Sequence, residues 1–251
     1  MDFEDDFLGV EKRRWVLVTD KEIPIATSKQ GSFGVEFNKN KLNIEATGFY
    51  KIVDGITASN QGFYNSFQYT NANGSYTVKG FEFLTNKTAH QYSVWVSYTF
   101  STNDYEFDTF TPSTFPNNVD IRHSVSLGFY YDILKNLKIA VGGIWRNGQP
   151  YTKPIDGNET VQNGNNTMVN YDSPNSANLD NFMRLDASLN YNFNLSESIK
   201  ASFTAGVINA TNQDNVINRY YKVSPNDSND AIQVDNKSLG LTPNVSFRVN
   251  F

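Results

Sequence analysis

The sequence lacks cysteine and has only two histidines among its 251 residues. Without cysteine there is no disulfide framework, no thiolate metal site and no cysteine nucleophile. The mean hydropathy is −0.50, and no run of about 20 apolar residues is available to form a membrane-spanning helix. The formal charge is −5 and the cations form no basic stripe, which argues against a nucleic-acid partner.

The first residues also lack the features of a secretion signal. Residues 1–6 are acidic, and no charged segment followed by an apolar core stands at the start of the sequence. We therefore expect either that the chain is not exported or that it is a fragment of something longer. Residues 1–30 are expected to form an irregular segment or a partial strand, with residues 15–18 and 23–26 as the two parts of one broken strand.

Aromatic residues are abundant, at 14% of the chain, and many stand in segments of strict alternation. From Met183 to Leu195 every second residue is apolar, and the residues between them are Arg, Asp, Ser or Asn. This period of two indicates a strand with one apolar and one polar face. Similar segments begin near residues 33, 42, 75, 92, 123, 137, 199 and 245, so the sequence predicts about nine strands, and the doubtful N-terminal strand would make ten.

The connections between these strands alternate between short and long. Turns near residues 40, 87, 136 and 197 are short, whereas the long links are residues 52–74, 101–120, 147–180 and 209–240. The apolar faces are expected to carry no Lys, Arg, Asp or Glu, because such a charge costs about 2–4 kcal/mol on a lipid face at the bilayer midplane. Together these features predict an all-β fold: an antiparallel up-and-down transmembrane β-barrel segment of about ten strands, with short periplasmic turns and long extracellular loops.

The predicted last strand ends on an aromatic residue. Val245, Phe247, Val249 and Phe251 are apolar and alternate with polar residues. In an outer-membrane barrel the last strand must close against the other strands in lipid. We therefore interpret these four residues as the C-terminal signal for barrel assembly, with outer-membrane lipid and the barrel assembly machinery as partners.

Several short segments resemble one protein family by their order and spacing. They include Gly48–Lys51, Val53–Thr57, Tyr76–Phe83, Phe115–Asn118, Gly148–Thr152, Met183–Asp186, Val207–Gln213 and the terminal strand. Over about residues 31–251 the chain resembles the C-terminal part of the β-barrel of TonB-dependent outer-membrane receptors. The resemblance implies a barrel of about 22 strands, an N-terminal plug domain, a TonB box, and energised import of an iron chelate, cobalamin or a glycan.

The plug, the TonB box and roughly the first half of the barrel have no counterpart in this sequence. We therefore interpret residues 31–251 as the distal portion of a receptor, from a truncated gene or a split reading frame. The plug domain and the TonB system are then partners only of a full-length receptor. The expected location is the outer membrane of a Gram-negative cell, if the chain is exported.

Aromatic residues in the predicted outer loops are the candidates for contact with an imported ligand. The competing explanation is that these side chains pack on neighbouring loops. The candidates are Tyr64, Phe67, Tyr69, Tyr151, Tyr171, Tyr220 and Tyr221.

No set of residues in the sequence indicates catalysis. His123 stands at a strand start, with no second histidine or carboxylate spaced to join it as a metal ligand. Asp227, Asp230 and Asp235 lie in a loop rich in Asn and Ser without the spacing of a calcium-binding loop, so we interpret them as solvated acids. The sequence therefore predicts no catalytic residue, no metal site and no cofactor, and a chain that is not an enzyme.

Two alternatives to a receptor segment stay open on the sequence alone. The first is a self-contained small outer-membrane barrel, and the second is a soluble β-sandwich binding module. The apolar faces would meet lipid in either kind of barrel, whereas in a sandwich they would meet each other between two sheets. The position of the apolar faces therefore separates the sandwich from the barrels.

Overall fold

A computed structural model describes residues 24–58, 72–164 and 166–251, which are organised by β-strands. None of these residues belongs to a helix long and apolar enough to cross a membrane. Nine long strands form the main sheet: β1 (Thr27–Lys39), β2 (Leu42–Thr57), β3 (Asn73–Thr88), β4 (Tyr92–Glu106), β6 (His123–Leu134), β7 (Leu137–Arg146), β12 (Phe182–Asn194), β13 (Lys200–Ile208) and β16 (Thr242–Asn250). Seven short strands lie between them: β5 (Thr114–Pro116), β8 (Pro150–Tyr151), β9 (Thr160–Asn163), β10 (Asn166–Val169), β11 (Ala177–Asn178), β14 (Val216–Val223) and β15 (Ala231–Lys237).

The long strands pair in the order in which they occur in the chain. The sheet runs β1-β2-β3-β4-β6-β7-β12-β13-β16, every pair is antiparallel, and β5 adds to the end of β4. This arrangement confirms the predicted all-β, up-and-down fold. Among the described residues, β1 pairs only with β2 and β16 only with β13, so the strands form an open segment with two free edges. The doubtful N-terminal strand falls on residues 15–18 and 23, which lie outside the described residues, and on residues 24–26, which are irregular.

The register places most of the apolar residues of the nine strands on one face of the sheet, although a few, such as Trp95 and Ile144, lie on the other. One row of paired residues runs from Val96 through Leu127 and Gly143 to Leu185, across four strands. Many side chains of this apolar face are exposed, from 36% for Leu189 to 79% for Phe33. Within the described chain no second sheet covers them. The β-sandwich alternative is therefore wrong, because an apolar surface this continuous needs lipid or another apolar partner.

The expectation that the apolar face carries no charge is wrong for three lysines. Lys39, Lys79 and Lys87 share the alternation of apolar neighbours on β1 and β3. Lys39 and Lys87 each pair with Leu42 beside the first turn, and Lys79 pairs with Tyr50 towards the opposite end of the sheet. The Lys87 ammonium donates to the Asn40 carbonyl in the first turn at 2.8 Å. A long lysine side chain can in general carry its ammonium group towards the membrane surface, which avoids the cost of a charge at the midplane.

The alternation of short and long connections is confirmed. Residues 40–41, 89–91, 135–136 and 195–199 form the short turns, at the end of the sheet where β16 also finishes. The strands β2, β3 and β4 are longer than the expected ten residues or so, at 16, 16 and 15 residues. They continue past the apolar face towards the long loops.

A small aromatic core explains the extra length of these three strands. Phe107 is fully buried, and its ring stacks on that of Phe115 with the centroids 6.0 Å apart. Tyr105, Val53 and Ile56 complete the buried cluster from β4 and β2. Burial on this scale stabilises a hairpin in water without help from lipid.

The apolar face yields a test with two adjacent exposed residues. Leu189 lies on the apolar face opposite Ile139 and Ala205, and Ser188 lies on the polar face. We expect Leu189→Lys to lower the free energy of unfolding in lipid vesicles by about 2–4 kcal/mol, because it places a charge in hydrocarbon. Ser188→Lys is the matched control and should change the same free energy by less than about 1 kcal/mol. Equal losses in the two variants would contradict the assignment of the faces.

Candidate functional site

The described long loops, which follow β4, β7 and β13, lie at one end of the sheet, and the last two contact each other. The third outer loop (residues 147–181) and the fourth outer loop (residues 209–241) exchange hydrogen bonds along their length. Gln149 Nε2 donates to the Ile217 carbonyl at 2.8 Å, and Thr160 Oγ1 donates to the Ser228 carbonyl at 2.8 Å. The Ala231 amide donates to a carboxylate oxygen of Glu159 at 2.9 Å. The two loops therefore form one unit.

Arg219 is the centre of this loop unit. Its Nε and Nη2 donate to the two carboxylate oxygens of Asp235 at 2.6 and 2.9 Å, which links β14 to β15. Its Nη1 donates to the Tyr151 hydroxyl at 3.2 Å, so the same guanidinium reaches the third loop. The Tyr151 ring also stacks against Tyr221, with the centroids 6.5 Å apart. We call Arg219, Asp235, Tyr151 and Tyr221 the loop clamp.

Charge and burial shift the pKa values of three members of the loop clamp, Arg219, Asp235 and Tyr221. The side chains of Arg219 and Asp235 are only 16% and 21% exposed. Hydrogen bonds from Arg219 lower the pKa of Asp235 below its usual value, and the bonds to Asp235 raise the pKa of Arg219 further. Burial, and next the neighbouring Tyr151, raise the pKa of Tyr221 to about 12. At neutral pH the clamp therefore contains one ion pair, and the Tyr221 phenol beside it is neutral.

The structure separates the predicted loop aromatics into two groups. Tyr151 and Tyr221 belong to the loop clamp, and the Tyr171 hydroxyl lies 3.5 Å from the Tyr221 carbonyl. Tyr220 is exposed, and its ring faces the Lys222 ammonium at 5.3 Å. The other three candidates lie outside the described residues: Tyr64, Phe67 and Tyr69. For all seven residues, a role in contact with a ligand stays a prediction.

A buried asparagine joins the third outer loop to the second (residues 107–122). Asn175 Nδ2 donates to the Pro116 carbonyl and to Asn118 Oδ1, both at 2.8 Å. The Asn175 amide donates to Thr152 Oγ1 at 3.0 Å, and the residue has a positive φ of 54°. Asparagine tolerates this left-handed conformation better than most residues. Three of the four outer loops are thus tied together.

Two further asparagines anchor the base of the fourth outer loop. Asn209 is fully buried; its Nδ2 donates to the carbonyls of Gln213 and Leu239, and its amide donates to Asp186 at 2.9 Å. Asn215 Oδ1 accepts from the Met183 amide at 2.9 Å, which connects the loop to β12. Buried amides that are fully hydrogen-bonded fix a loop as a packed core would.

At the base of the third loop, a glycine allows a close approach of the chain to itself. The Asn178 side chain donates to the Gly148 carbonyl at 3.1 Å, and the Leu179 amide donates to the Gln149 carbonyl at 3.0 Å. A Cβ atom at residue 148 would overlap with the carbonyl of Leu179. Glycine is therefore required here by space.

The terminal strand pairs in the register that its alternation predicted. Val245, Phe247 and Val249 lie opposite Ala205, Phe203 and Ala201 of β13, on the apolar face. Phe247 is 58% exposed and Phe251, which follows the strand, is 96% exposed. Recognition of these four residues by the barrel assembly machinery stays a prediction.

The interpretation of three loop acids as solvated is wrong for one of them. Asp235 is the carboxylate of the loop clamp, whereas Asp227 accepts the Asn229 amide at 2.9 Å within an exposed turn. The Asp230 backbone closes that turn through its carbonyl, which accepts from Ser224 at 2.8 Å. Among the residues that the structure describes, no group of three or more His, Asp or Glu side chains is placed to hold a metal ion.

The sequence did not identify Arg219, Asn175 or Asn215. Arg219 and Asp235 are 16 positions apart, and only the β14–β15 register shows that they face each other. Asn209 lies within a segment that was noted for its resemblance to a family, although the role of its side chain was not predicted.

Comparisons with known proteins identify the same kind of fold, an outer-membrane β-barrel. Residues 25–210 match the family model described as "TonB dependent receptor-like, beta-barrel". The chain belongs to this family. The match covers more than half of the chain, and it confirms the predicted resemblance and the location in the outer membrane. A search of curated proteins gave no match.

Two solved receptors share the fold of this barrel segment. The ferric citrate transporter FecA, in its unliganded form, has a TM-score of 0.57 and 17% identity over 88% of this chain. The ferric-catecholate import receptor Fiu from E. coli K12 has a TM-score of 0.50 and 15% identity over 76% of this chain. The chain covers 30% of the first structure and 24% of the second, so it spans about a quarter to a third of their length.

Family membership assigns the two faces of the sheet. The apolar face contacts outer-membrane lipid, and the polar face lines the interior of the barrel. The interior face carries ion pairs, such as Arg184 with Asp186 at 3.1 Å. The family consists of transport receptors rather than enzymes.

The loop clamp yields a first prediction for this site. We expect Arg219→Lys to speed amide hydrogen exchange of residues 216–237 about tenfold, because lysine cannot replace the two-point contact with Asp235. Tyr151→Phe is the matched control: it removes one hydroxyl hydrogen bond, keeps the ring and should change the exchange less than about threefold. Exchange of residues 216–237 at the wild-type rate in Arg219→Lys would show that the clamp does not hold this hairpin in place.

The environment of Tyr221 yields a second prediction. Its raised pKa means that the neutral phenol is favoured in the folded loop, so this contribution to stability is complete below about pH 10 and is lost as the pH rises towards 12. The measurement is the alkaline rise in phenolate absorbance of the wild type minus that of Tyr221→Phe. We expect the difference to have its midpoint near pH 12. A midpoint near pH 10, the value of a solvated tyrosine, would show that the side chain is not packed.

Proposed function

We propose that the chain forms the C-terminal part of the barrel of a TonB-dependent transporter that takes up a nutrient. The observation that carries this proposal is the family match over residues 25–210 on an open meander with one continuous apolar face. Lipid contact on one face and a wet or protein-filled interior on the other are what an outer-membrane transporter requires. A self-contained small barrel is less well supported, since the described sheet has two unpaired edges.

The plug domain and the TonB system are the partners that we propose for the full-length receptor. The interior face supports this proposal, because its charged residues favour a polar occupant over lipid. The imported nutrient is proposed as an iron chelate, cobalamin or a glycan. FecA and Fiu are described as handling ferric citrate and ferric catecholates, and at 17% and 15% identity their likeness supports the fold alone.

Within the loops, we propose Tyr220, Tyr64, Phe67 and Tyr69 as the residues that meet the ligand. Tyr220 is exposed, in contrast to Tyr221 beside it, whose ring is stacked in the clamp. An exposed aromatic ring on a fastened hairpin offers an apolar surface at little entropic cost on binding. Tyr151, Tyr171 and Tyr221 serve to hold the loops in position.

Deletion of the coding gene tests the proposed transport. The mutant is compared with its parent in media where the sole iron chelate, the only cobalamin or the only glycan is limiting. We expect a growth defect in one of the three media and none in rich medium, because an outer-membrane transporter matters only when its nutrient is scarce. Uptake of the labelled nutrient by the parent should stop when a protonophore removes the energy supplied through TonB.

Restoring the gene provides the control for that experiment. The wild-type gene should restore growth, and Tyr220→Ala should raise the nutrient concentration that gives half-maximal growth severalfold. Tyr171→Phe keeps its ring and should behave as the wild type. Parental growth of the deletion strain in all three media would overturn the proposed function.

A further inference from the structure

The polar face of the last five long strands carries more cations than carboxylates. By strand alternation, β6, β7, β12, β13 and β16 present two carboxylates and five cations on this face. The carboxylates are those of Asp132 and Asp186; the cations are those of Lys138, Arg146, Arg184, Lys200 and Arg248. The interior of the barrel is therefore positive along this part of the sheet.

Both carboxylates of this region already have a cationic partner. Asp132 lies 3.7 Å from the Lys138 ammonium and also accepts the Tyr130 hydroxyl at 2.6 Å. Asp186 pairs with Arg184 at 3.1 Å. Neither carboxylate is left to neutralise the remaining cations.

Three unpaired cations surround one hollow at the short-turn end of the polar face. Lys135, Lys200 and Arg248 line a cavity of about 800 Å³, and all three are exposed. None of them has an ion pair among the residues that the structure describes. No described carboxylate side chain lines this hollow.

Asparagine amides add further hydrogen-bond donors to the hollow. Asn190, Asn192 and Asn194 line it along β12. Asn192 Nδ2 donates to Asn190 Oδ1 at 2.9 Å, and Asn190 Nδ2 donates to Thr204 Oγ1 at 2.7 Å. The Asn190 oxygen is thus occupied from within the chain. The side chains of Asn194 and the three cations form no hydrogen bond with another described residue, so their donors are available to an occupant from outside.

The carboxylates of the other half of the sheet are too distant to neutralise the hollow. Glu36, Glu45 and Glu82 stand on the polar face of β1, β2 and β3. Four strand spacings separate β3 from β12, which is about 19 Å. This separation exceeds twice the Debye length of about 8 Å at physiological salt. Glu197, in the turn between β12 and β13, is nearer but does not line the hollow and forms no ion pair with its cations. We therefore infer that negative charge for the hollow comes from another molecule or another segment.

We propose that the hollow binds an acidic polypeptide segment that enters the barrel from its periplasmic end. Naming that segment as part of the plug domain rests on the proposed function. Lipid phosphate fits less well, because lipid contacts the apolar face, whereas all lining residues except Phe193 and Ala201 lie on the polar face or in the short turn. The cations and amides together match carboxylates, which accept charge-assisted hydrogen bonds from both.

The spacing of the cations favours an extended segment. Lys200 pairs with Asn250 and Arg248 pairs with Ser202, so the two cations are diagonal neighbours, about 7–8 Å apart at their backbones. In an extended peptide, successive side chains on the same face are about 6.6 Å apart. Acidic residues at alternate positions therefore meet both cations at once.

A peptide-binding experiment on the full chain, refolded in detergent micelles, tests this inference. The probe is a fluorescent peptide of alternating glutamate and serine. We expect binding that weakens as salt is added, and a loss of affinity of roughly tenfold or more in the triple variant Lys135→Gln, Lys200→Gln and Arg248→Gln. Lys39→Gln is the matched control, because Lys39 is an exposed lysine at the same end of the sheet but on the apolar face. It should change the affinity less than about twofold.

The outcomes of this experiment are separable. Wild-type affinity in the triple variant, with native strand content by circular dichroism, would overturn the proposal. So would equal competition by inorganic phosphate at matched charge, which would indicate a site for small anions only. The same peptide with glutamine in place of glutamate should not bind. The peptide experiment involves no nutrient, so its result does not depend on the growth experiment. Normal growth of the deletion strain would reject the proposed transport function but not the peptide-binding site. Absence of peptide binding would reject only the peptide-binding site.

Discussion

An unbroken backbone ladder across nine strands is the constraint on which the rest of this structure depends. In hydrocarbon an unpaired backbone group costs several kcal/mol, so each membrane-spanning strand must pair along its length. Pairing in turn fixes the faces, because a shift of one residue would turn every apolar side chain to the interior. The row from Val96 to Leu185 shows that the register holds across four strands. The irregularities within the main sheet fall near strand ends, at Asp54/Ile56 and at Asp132/Leu134.

Outside the membrane, two other kinds of interaction stabilise the chain in addition to backbone pairing between strands. The first hairpins continue as strands and bury a small aromatic core around Phe107. Among the described residues of the later loops no such core forms, and these loops are fastened by polar side chains: Asn175, Asn209, Asn215 and the Arg219–Asp235 pair. Polar fastenings of this kind depend on geometry, since a buried amide that loses a partner costs about 1–3 kcal/mol. The loops are therefore positioned firmly by few contacts.

The sequence predicts the part of the structure inside the membrane well and the part outside it poorly. Inside the bilayer lipid requires alternation, so the nine strands, their faces and the parity of their connections were visible in segments such as Met183 to Leu195. Outside the bilayer nothing requires alternation, which is why the extensions of β2 to β4 and the strands within the loops were missed. Arg219 and Asp235 carry no sequence signal, because their meeting depends on a register that only the folded hairpin sets. The lysines of the apolar face were missed because depth in the membrane, and not the face alone, decides whether a charge is tolerated.

The two faces of one strand show why they carry different kinds of information. In β16, Phe247 meets lipid and Arg248, the next residue, meets the interior. Lipid is a uniform solvent, so an apolar position needs only to be apolar, and many residues satisfy it. An interior position faces a particular occupant, and an unpaired arginine there is tolerated only if water or a partner solvates it. The surplus of cations around Lys200 and Arg248 is therefore specific to what lies inside this barrel, whereas the apolar face would look much the same in any barrel of this size.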